Sequence, residues 1–249
     1  MSIGDWLLLF TAGLVGGVIN SVSSGGSFFT YPALLLTGLS PIQASTTTLA
    51  ALTPGNLAAV PEYWPEVRAH REKYPRELGL VFVGGLVGIW MLLTTGAEIF
   101  EDLVPWLILG ATMLFAVSPI VRQWAQNSAP SLTDGFAGAA LVFVFSIYLT
   151  YFGSGVGNIM LALFIIRGFG DFYSANAAKN LAMSLGTSMA MVAYTLTGYI
   201  QWLELGPVFI ASAIGARYGA RWARRVPLAW LRGFIIAFGL FVAAWQFVR

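Results

Sequence analysis

The chain has no cysteine, one histidine and only 10% charged residues in 249 positions. Without cysteine there are no disulfides and no thiolate-held metals. His70 stands in a basic loop with Arg68, Arg71, Lys73 and Arg76, so the apolar stretches contain no imidazole. A soluble domain carries about 25% charge, which makes a largely solvent-facing fold a poor reading. The acids, from Asp5 and Glu77 through Asp102 and Asp171 to Glu204, fall at or near the expected segment ends or in loops. Proton pumps usually bury carboxylates or histidine inside their spans. A catalytic site would need a nucleophile with its base, or a metal cluster, and the spans offer neither. No GxxxxGK[ST] run occurs, which argues against ATP hydrolysis. No cofactor is expected. The net charge of +2 comes from loop arginines and points to membrane orientation, with no polynucleotide-binding signal.

What the chain does have is apolar surface: 57% of its residues are hydrophobic and the mean hydropathy is +0.76. Apolar segments run over 6–22, 27–38, 41–60, 78–95 and 103–121, then over 133–150, 155–169, 173–198, 203–221 and 229–248. The first of these, from Trp6, lacks the basic flank and cleavage site of a leader and reads as a retained span. A spanning helix needs about 20 apolar residues, so 27–38 and 155–169 are short. Each follows a break rich in glycine and serine, Ser23-Ser24-Gly25-Gly26-Ser27 in one half and Gly153-Ser154-Gly155-Val156-Gly157-Asn158 in the other. A shift of 130 residues lays Ser24-Gly25 on Ser154-Gly155 and Gly38 on Gly168. The expectation is an all-α integral membrane protein of two five-segment repeats, 1–125 and 126–249, each with a short broken helix.

Loop charges orient the repeats. Arg68, Arg71, Lys73 and Arg76 follow the third segment of the first half, whereas the equivalent loop of the second, 198–204, has no base. After the fourth segments the pattern swaps, with Glu98, Glu101 and Asp102 in one half against Arg217, Arg221, Arg224, Arg225 and Arg232 in the other. Basic loops stay cytoplasmic, so the repeats are inverted. Both termini fall outside the cytoplasm of a multi-pass inner-membrane protein.

In a bilayer, non-helical backbone survives only inside protein or along a polar cavity. Matched breaks in two halves point to a transport site. A half-helix beginning at such a break presents free N–H groups and a positive dipole end, a cradle for an anion. Ser23, Ser24, Ser27, Ser154 and Asn158 add side-chain donors, and Gly25, Gly26, Gly153, Gly155 and Gly157 allow close approach. The competing reading, that small residues serve only close helix packing, is preferred for Gly13/Gly17, Gly84/Gly88 and Gly215/Gly219, which lack a break. Lys179, with Asn180 and Ser184, is a cation inside a segment. It either faces the anion or snorkels to headgroups. Arg167 is expected to pair with Asp171. Thr46, Thr47 and Thr48, with the Thr53-Pro54-Gly55-Asn56 run, match the region of Lys179 by repeat, and one or two of these polar residues are expected to face the same cavity. Asn20 either closes that cavity or caps its own helix.

Ser21-Val22-Ser23-Ser24-Gly25-Gly26-Ser27, Pro32-Ala33-Leu34, Gly38-Leu39-Ser40-Pro41 and Thr46-Thr47-Thr48-Leu49 form one half of a signature. Gly153-Ser154-Gly155, Ala178-Lys179-Asn180, Ser184 and Gly215-Ala216-Arg217-Tyr218-Gly219 form the other. In that joint order the sequence resembles the TauE/SafE sulfite-exporter family over nearly its whole length. It departs from the pattern at Ser24, where members commonly carry glycine, and at Thr48, near which some carry lysine. The resemblance implies a polytopic exporter or permease for sulfite, organosulfonates or related small anions, in two inverted halves, and suggests a homodimer. An importer or exchanger of another anion, and a non-transporting accessory subunit, remain as alternatives.

Overall fold

A computed structural model describes residues 1–23, 25–127, 135–222 and 228–248. Its helices are α1 (Ile3–Ser23), α2 (Ser27–Leu36), α3 (Pro41–Ala59), α4 (Trp64–Ala69), α5 (Tyr74–Thr95), α6 (Ala97–Asn127), α7 (Phe136–Tyr151), α8 (Val156–Phe164), α9 (Phe172–Leu196), α10 (Trp202–Trp222) and α11 (Leu228–Val248). There is no strand among the described residues. Each of the ten apolar segments coincides with a helix. The short α4 and the 3₁₀ turn Val60–Tyr63 before it lie in the basic loop that the hydropathy pattern passes over. Stretches Ile3–Asn20, Tyr74–Thr95 and Ala97–Val121 are long and apolar enough to cross a bilayer. The pair Val156–Phe169 and Phe172–Leu196 also qualifies, bent by 119° between its members. The chain is a multi-pass, all-helical membrane protein.

The two short helices owe their length to glycine. α2 stops before Gly38 at φ +93°, and α8 continues as a π turn, Ile165–Phe169, that ends across Gly168 at φ +76° and Gly170 at φ +80°. Side chains at these corners would be strained, since left-handed backbone costs a β-carbon about 1–2 kcal/mol. After each corner a full helix starts on a side-chain cap. Ser40 accepts from the Gln43 N–H and Gln43 answers to the Ser40 N–H, while Asp171 accepts from the Ser174 N–H. Such caps satisfy first-turn donors. Apart from Leu36 at the end of α2 and the half-buried Phe29 and Asn158, both short helices are buried, as helices apolar on all sides are.

Glycines set the tightest helix contacts. A β-carbon on Gly13 would stand 2.8 Å from the Val208 carbonyl oxygen, and one on Gly17 would run into Ser212, which seats α1 against α10. A β-carbon on Gly84 would stand 2.6 Å from the Phe143 carbonyl oxygen and one on Gly88 would meet Ile147, which seats α5 against α7. Gly215 packs on Leu14 in the same way. These are the close backbone approaches that small residues permit in membrane bundles.

The contacts also fix direction. Rising numbers on α1 meet rising numbers on α10, and Ala51 and Gly55 of α3 meet Ser212 and Ala216, so α1, α3 and α10 run the same way. Likewise α5 runs with α7, and with α9 from the corner at Arg167 up to Gly85 beside Met189. α3 and α9 are antiparallel: Asn56 meets Thr187, Thr46 meets Tyr199, and Thr47 meets Gln201. One apolar core surrounds α2 and another surrounds α8.

Candidate functional site

At the first break α1 ends at Ser23 and α2 opens at Ser27. Ser24 and the side chain of Ser23 lie outside the described residues. Gly26 has right-handed backbone and provides no side-chain cap. A β-carbon on it would collide with the Gly16 carbonyl of α1, so this glycine permits the return of the chain along α1. At the second break Gly153 (φ +76°) and Gly155 (φ +73°) flank the buried Ser154, and α8 opens at Val156, again without a side-chain cap. Gly155 packs on the Ala111 carbonyl, which would stand 2.8 Å from its β-carbon, and Gly25 packs on Phe115. Ala111 and Phe115 are one turn apart on α6. The two breaks therefore reach adjoining turns on one face of α6. Ser27, Gly157 and Asn158 sit in the first turns beyond them, Ser27 and Gly157 buried and Asn158 half-buried.

Between the halves, α3 and α9 each carry a polar stripe at helical spacing. On α3 it holds Ser45, Thr48 and Asn56; on α9 it holds Asn180, Ser184 and Thr187, all buried. The stripes touch where Asn56 Nδ2 lies 3.5 Å from Thr187 Oγ1. Asn20 of α1 donates from Nδ2 to Asn56 Oδ1 at 3.0 Å, and Thr187 donates to the Met183 carbonyl at 2.8 Å. Asn20 thus joins a relay across three helices. The hydroxyls of Ser45, Thr48 and Ser184 are buried with no protein partner among the described residues. A buried polar atom without a partner carries a desolvation cost, and a polar ligand or water in the stripe would relieve it.

The structure separates two groups expected to share a wall. Thr48 lies eight residues before Asn56 on α3, and Lys179 eight residues before Thr187 on α9. Each is about 12 Å from the crossing at helical rise, but because the helices are antiparallel they lie on opposite sides of it. Thr46 and Thr47 are occupied by structure: the Thr46 hydroxyl is within 3.2 Å of the Tyr199 carbonyl, and Thr47 Oγ1 accepts from the Gln201 N–H at 3.1 Å. Lys179 and Asn180 are buried near the Gly168 corner end of α9, each about 6% exposed.

At that corner a second expectation is corrected. Arg167 pairs with Glu77 of α5, through Nε at 3.0 Å and through Nη2, and not with Asp171. Asp171 is taken up by the Ser174 N–H, whose hydrogen bond holds its carboxyl below the ordinary value of 3.8. Glu77 is buried although it falls in the first turn of its helix. Lys73 donates from Nζ to the Gly168 carbonyl and stands 5.5 Å above the Phe169 ring. Sequence reasoning missed Thr187 and Ser45. The spacing of Ser184 and Thr187, and of Ser45 and Thr48, was the available signal.

Residues 9–245 match the family described as sulfite exporter TauE/SafE. A probable membrane transporter protein of Haemophilus influenzae is 30% identical over 226 residues, covering 89% of this chain and 87% of that one. Probable membrane transporter protein ORF9 of a Sinorhizobium species is 25% identical, covering 86% and 82%. Probable membrane transporter protein YfcA of Escherichia coli K12 is 23% identical, covering 86% and 79%. With its helical membrane fold matched along almost its full length, the chain belongs to the TauE/SafE family of membrane transporters.

Proposed function

We propose that this protein exports a small sulfur-containing oxyanion, sulfite or an organosulfonate, through a site between two inverted repeats, 1–125 and 126–249. The observation that carries the reading is that the two breaks, each followed by a short helix with no side-chain cap, come together on one face of α6 through Gly25 and Gly155. Both place the positive end of a helix dipole beside that face, with the Phe28 and Phe29 N–H groups of α2 bonded to the Gly25 and Gly26 carbonyls of the break itself. The inverted relation is supported by how contacts interchange. Moving each helix to its counterpart turns α1 on α10 into α7 on α5, and turns α3 on α10 into α9 on α5. It also reverses the direction of each triad. The same repeat relation brings Gly38 onto Gly168.

In this reading the Arg68-to-Arg76 loop is cytoplasmic, both termini lie outside the inner membrane, and the family resemblance supports a homodimer. Ser27, Ser154 and Asn158 contact the anion near the breaks. The Ser45–Thr48 and Lys179–Ser184 segments line the approaches on either side of the Asn56–Thr187 crossing. Lys179 supplies positive charge on the cytoplasmic approach. Drive comes from the membrane potential. One charge crossing 100 mV gains about 2.3 kcal/mol, enough to hold a monovalent anion about forty-fold lower inside.

Proteoliposomes loaded with sulfite or methanesulfonate test this directly. Efflux should accelerate when valinomycin and potassium set the interior negative. Rates indifferent to that potential, or equal to those of empty vesicles, defeat the proposal. Gly155→Val, which drives a side chain into the Ala111 carbonyl and strains a left-handed residue, should lower flux at least tenfold.

A further inference from the structure

Three charged side chains are buried among the described residues: Glu77, Arg167 and Lys179. The transport reading uses Lys179 alone. The other two meet in an arrangement that leaves one oxygen of Glu77 bare. Arg167 directs Nε and Nη2 at the same carboxylate oxygen, Oε1, and leaves Glu77 Oε2 buried without a partner. A guanidinium ordinarily takes a carboxylate side-on through both oxygens, and a buried charged oxygen left bare is costly. Arg167 sits on the π turn that closes α8, an irregularity that recurs at functional positions.

Building the corner does not require this pair. The repeat-equivalent corner at Gly38 turns from α2 into α3 through Thr37, Leu39 and Ser40, without a charged residue. Its closing contacts are the Thr37 hydroxyl on the Leu34 carbonyl and the Ser40–Gln43 capping box. The charge at the Gly168 corner therefore serves something that the other corner lacks. From Arg167 the chain turns into α9 and reaches Lys179 about two turns later. Two buried cations thus lie along one approach against a single buried carboxylate. Guanidinium and ammonium groups both give charge-assisted hydrogen bonds to an oxyanion, so an arriving anion meets two such donors in sequence.

Resting on the transport reading, we infer that Arg167 is the cytoplasmic docking point of the oxyanion and that Glu77 holds its place when the mouth is shut. A sulfite or sulfonate group offers three oxygens to the guanidinium fork, where Glu77 engages it with one. The anion displaces the carboxylate and moves inward toward Lys179.

The test uses the full-length protein, oriented in proteoliposomes, with sodium sulfite as the probe at either face. Glu77→Gln keeps the shape of the side chain and removes the competing charge. It should lower KM about tenfold at the cytoplasmic face, with kcat and the KM at the other face unchanged. Arg167→Lys keeps the charge and loses the planar fork, and should raise that same KM about tenfold. Changes in the same direction for both variants, or equal changes at both faces, overturn the inference. So does recovery of wild-type flux in the swapped double variant Glu77→Arg/Arg167→Glu, since a purely structural latch would tolerate exchange.

Sulfite-dependent thermal stabilisation of the purified protein ranks the same variants without flux, and should be larger for Glu77→Gln than for wild type and lost in Arg167→Lys. Stabilisation that is equal in wild type and Arg167→Lys sinks the docking point and leaves transport standing. Stabilisation lost in Arg167→Lys, together with no flux in wild type, supports the docking point and defeats transport.

Discussion

The two ends of the α3–α9 pair are closed by different chemistry on the same backbone plan. At each end a buried short helix stops at a left-handed glycine, Gly38 or Gly168, and a full helix starts on a side-chain cap. At the Gly38 end the neighbouring loop is joined by neutral bonds, from Thr46 near Tyr199 and from the Gln201 N–H to Thr47. At the Gly168 end it is joined by Lys73 on the corner carbonyl and Glu77 on Arg167. The two corners share a backbone plan, and only one of them is closed by charge. A transporter that discriminates by charge needs charge only where the ligand enters or rests, and the neutral end shows that the fold holds without it.

The largest test of that contrast removes one closing contact from each end. Arg167→Ala leaves Glu77 buried with its charge uncompensated and should cost about 3–5 kcal/mol. Thr47→Val removes one neutral acceptor and should cost about 1 kcal/mol. Thermal unfolding in detergent measures both, and equal losses would erase the distinction between the ends. A smaller effect comes from the corner glycines. Gly38→Ala faces open space and should cost only the left-handed penalty of about 1–2 kcal/mol. In Gly168→Ala the new methyl would stand 3.0 Å from Lys73 Nζ, so the loss of that contact is added. Matching costs would mean that Lys73 contributes nothing to holding the corner.

The caps give the smallest difference, visible only in acid. Ser40→Ala and Asp171→Ala should each cost about 1 kcal/mol at neutral pH. The carboxyl of Asp171 is held below 3.8 in the folded protein by the Ser174 N–H, so its contribution is present above that value. It fades as pH falls through 3.8 toward the lower folded value. Melting curves across this range should bring Asp171→Ala level with wild type while Ser40→Ala stays behind. A gap at Asp171 that persists in acid would show that its charge is not what caps α9.

Hydropathy made all ten apolar helices legible, and the 130-residue shift correctly paired two left-handed corners, because turn glycines are set by local backbone geometry. Gly13/Gly17 and Gly84/Gly88 were also readable as packing positions, since their spacing marks one face of a helix. Pairing across long sequence separations was not. Asp171 lies four residues from Arg167 and looked like its partner, yet the fold brings Glu77 from ninety residues away. Glu77 itself looked like a solvated helix-start acid, because nothing local in the sequence reports that the Gly168 corner will cover it. Thr46–Thr48 and Lys179 match under the 130-residue shift, but α3 and α9 run antiparallel, which carries matched positions to opposite sides of their crossing. A shared position in the repeat therefore did not mean a shared wall.

The seating of α1 against α10 has a consequence for how the protein is made. The glycine face of α1 is covered by α10, about two hundred residues further along the chain, and α3 packs on the same partner. Until α10 is made, these helices lack the neighbour that fits them. A chain stopped after α6 would be an unfinished bundle, with the glycine face of α1 uncovered. Neither half completes its packing alone, because α1 and α3 need α10 and α5 needs α7 and α9.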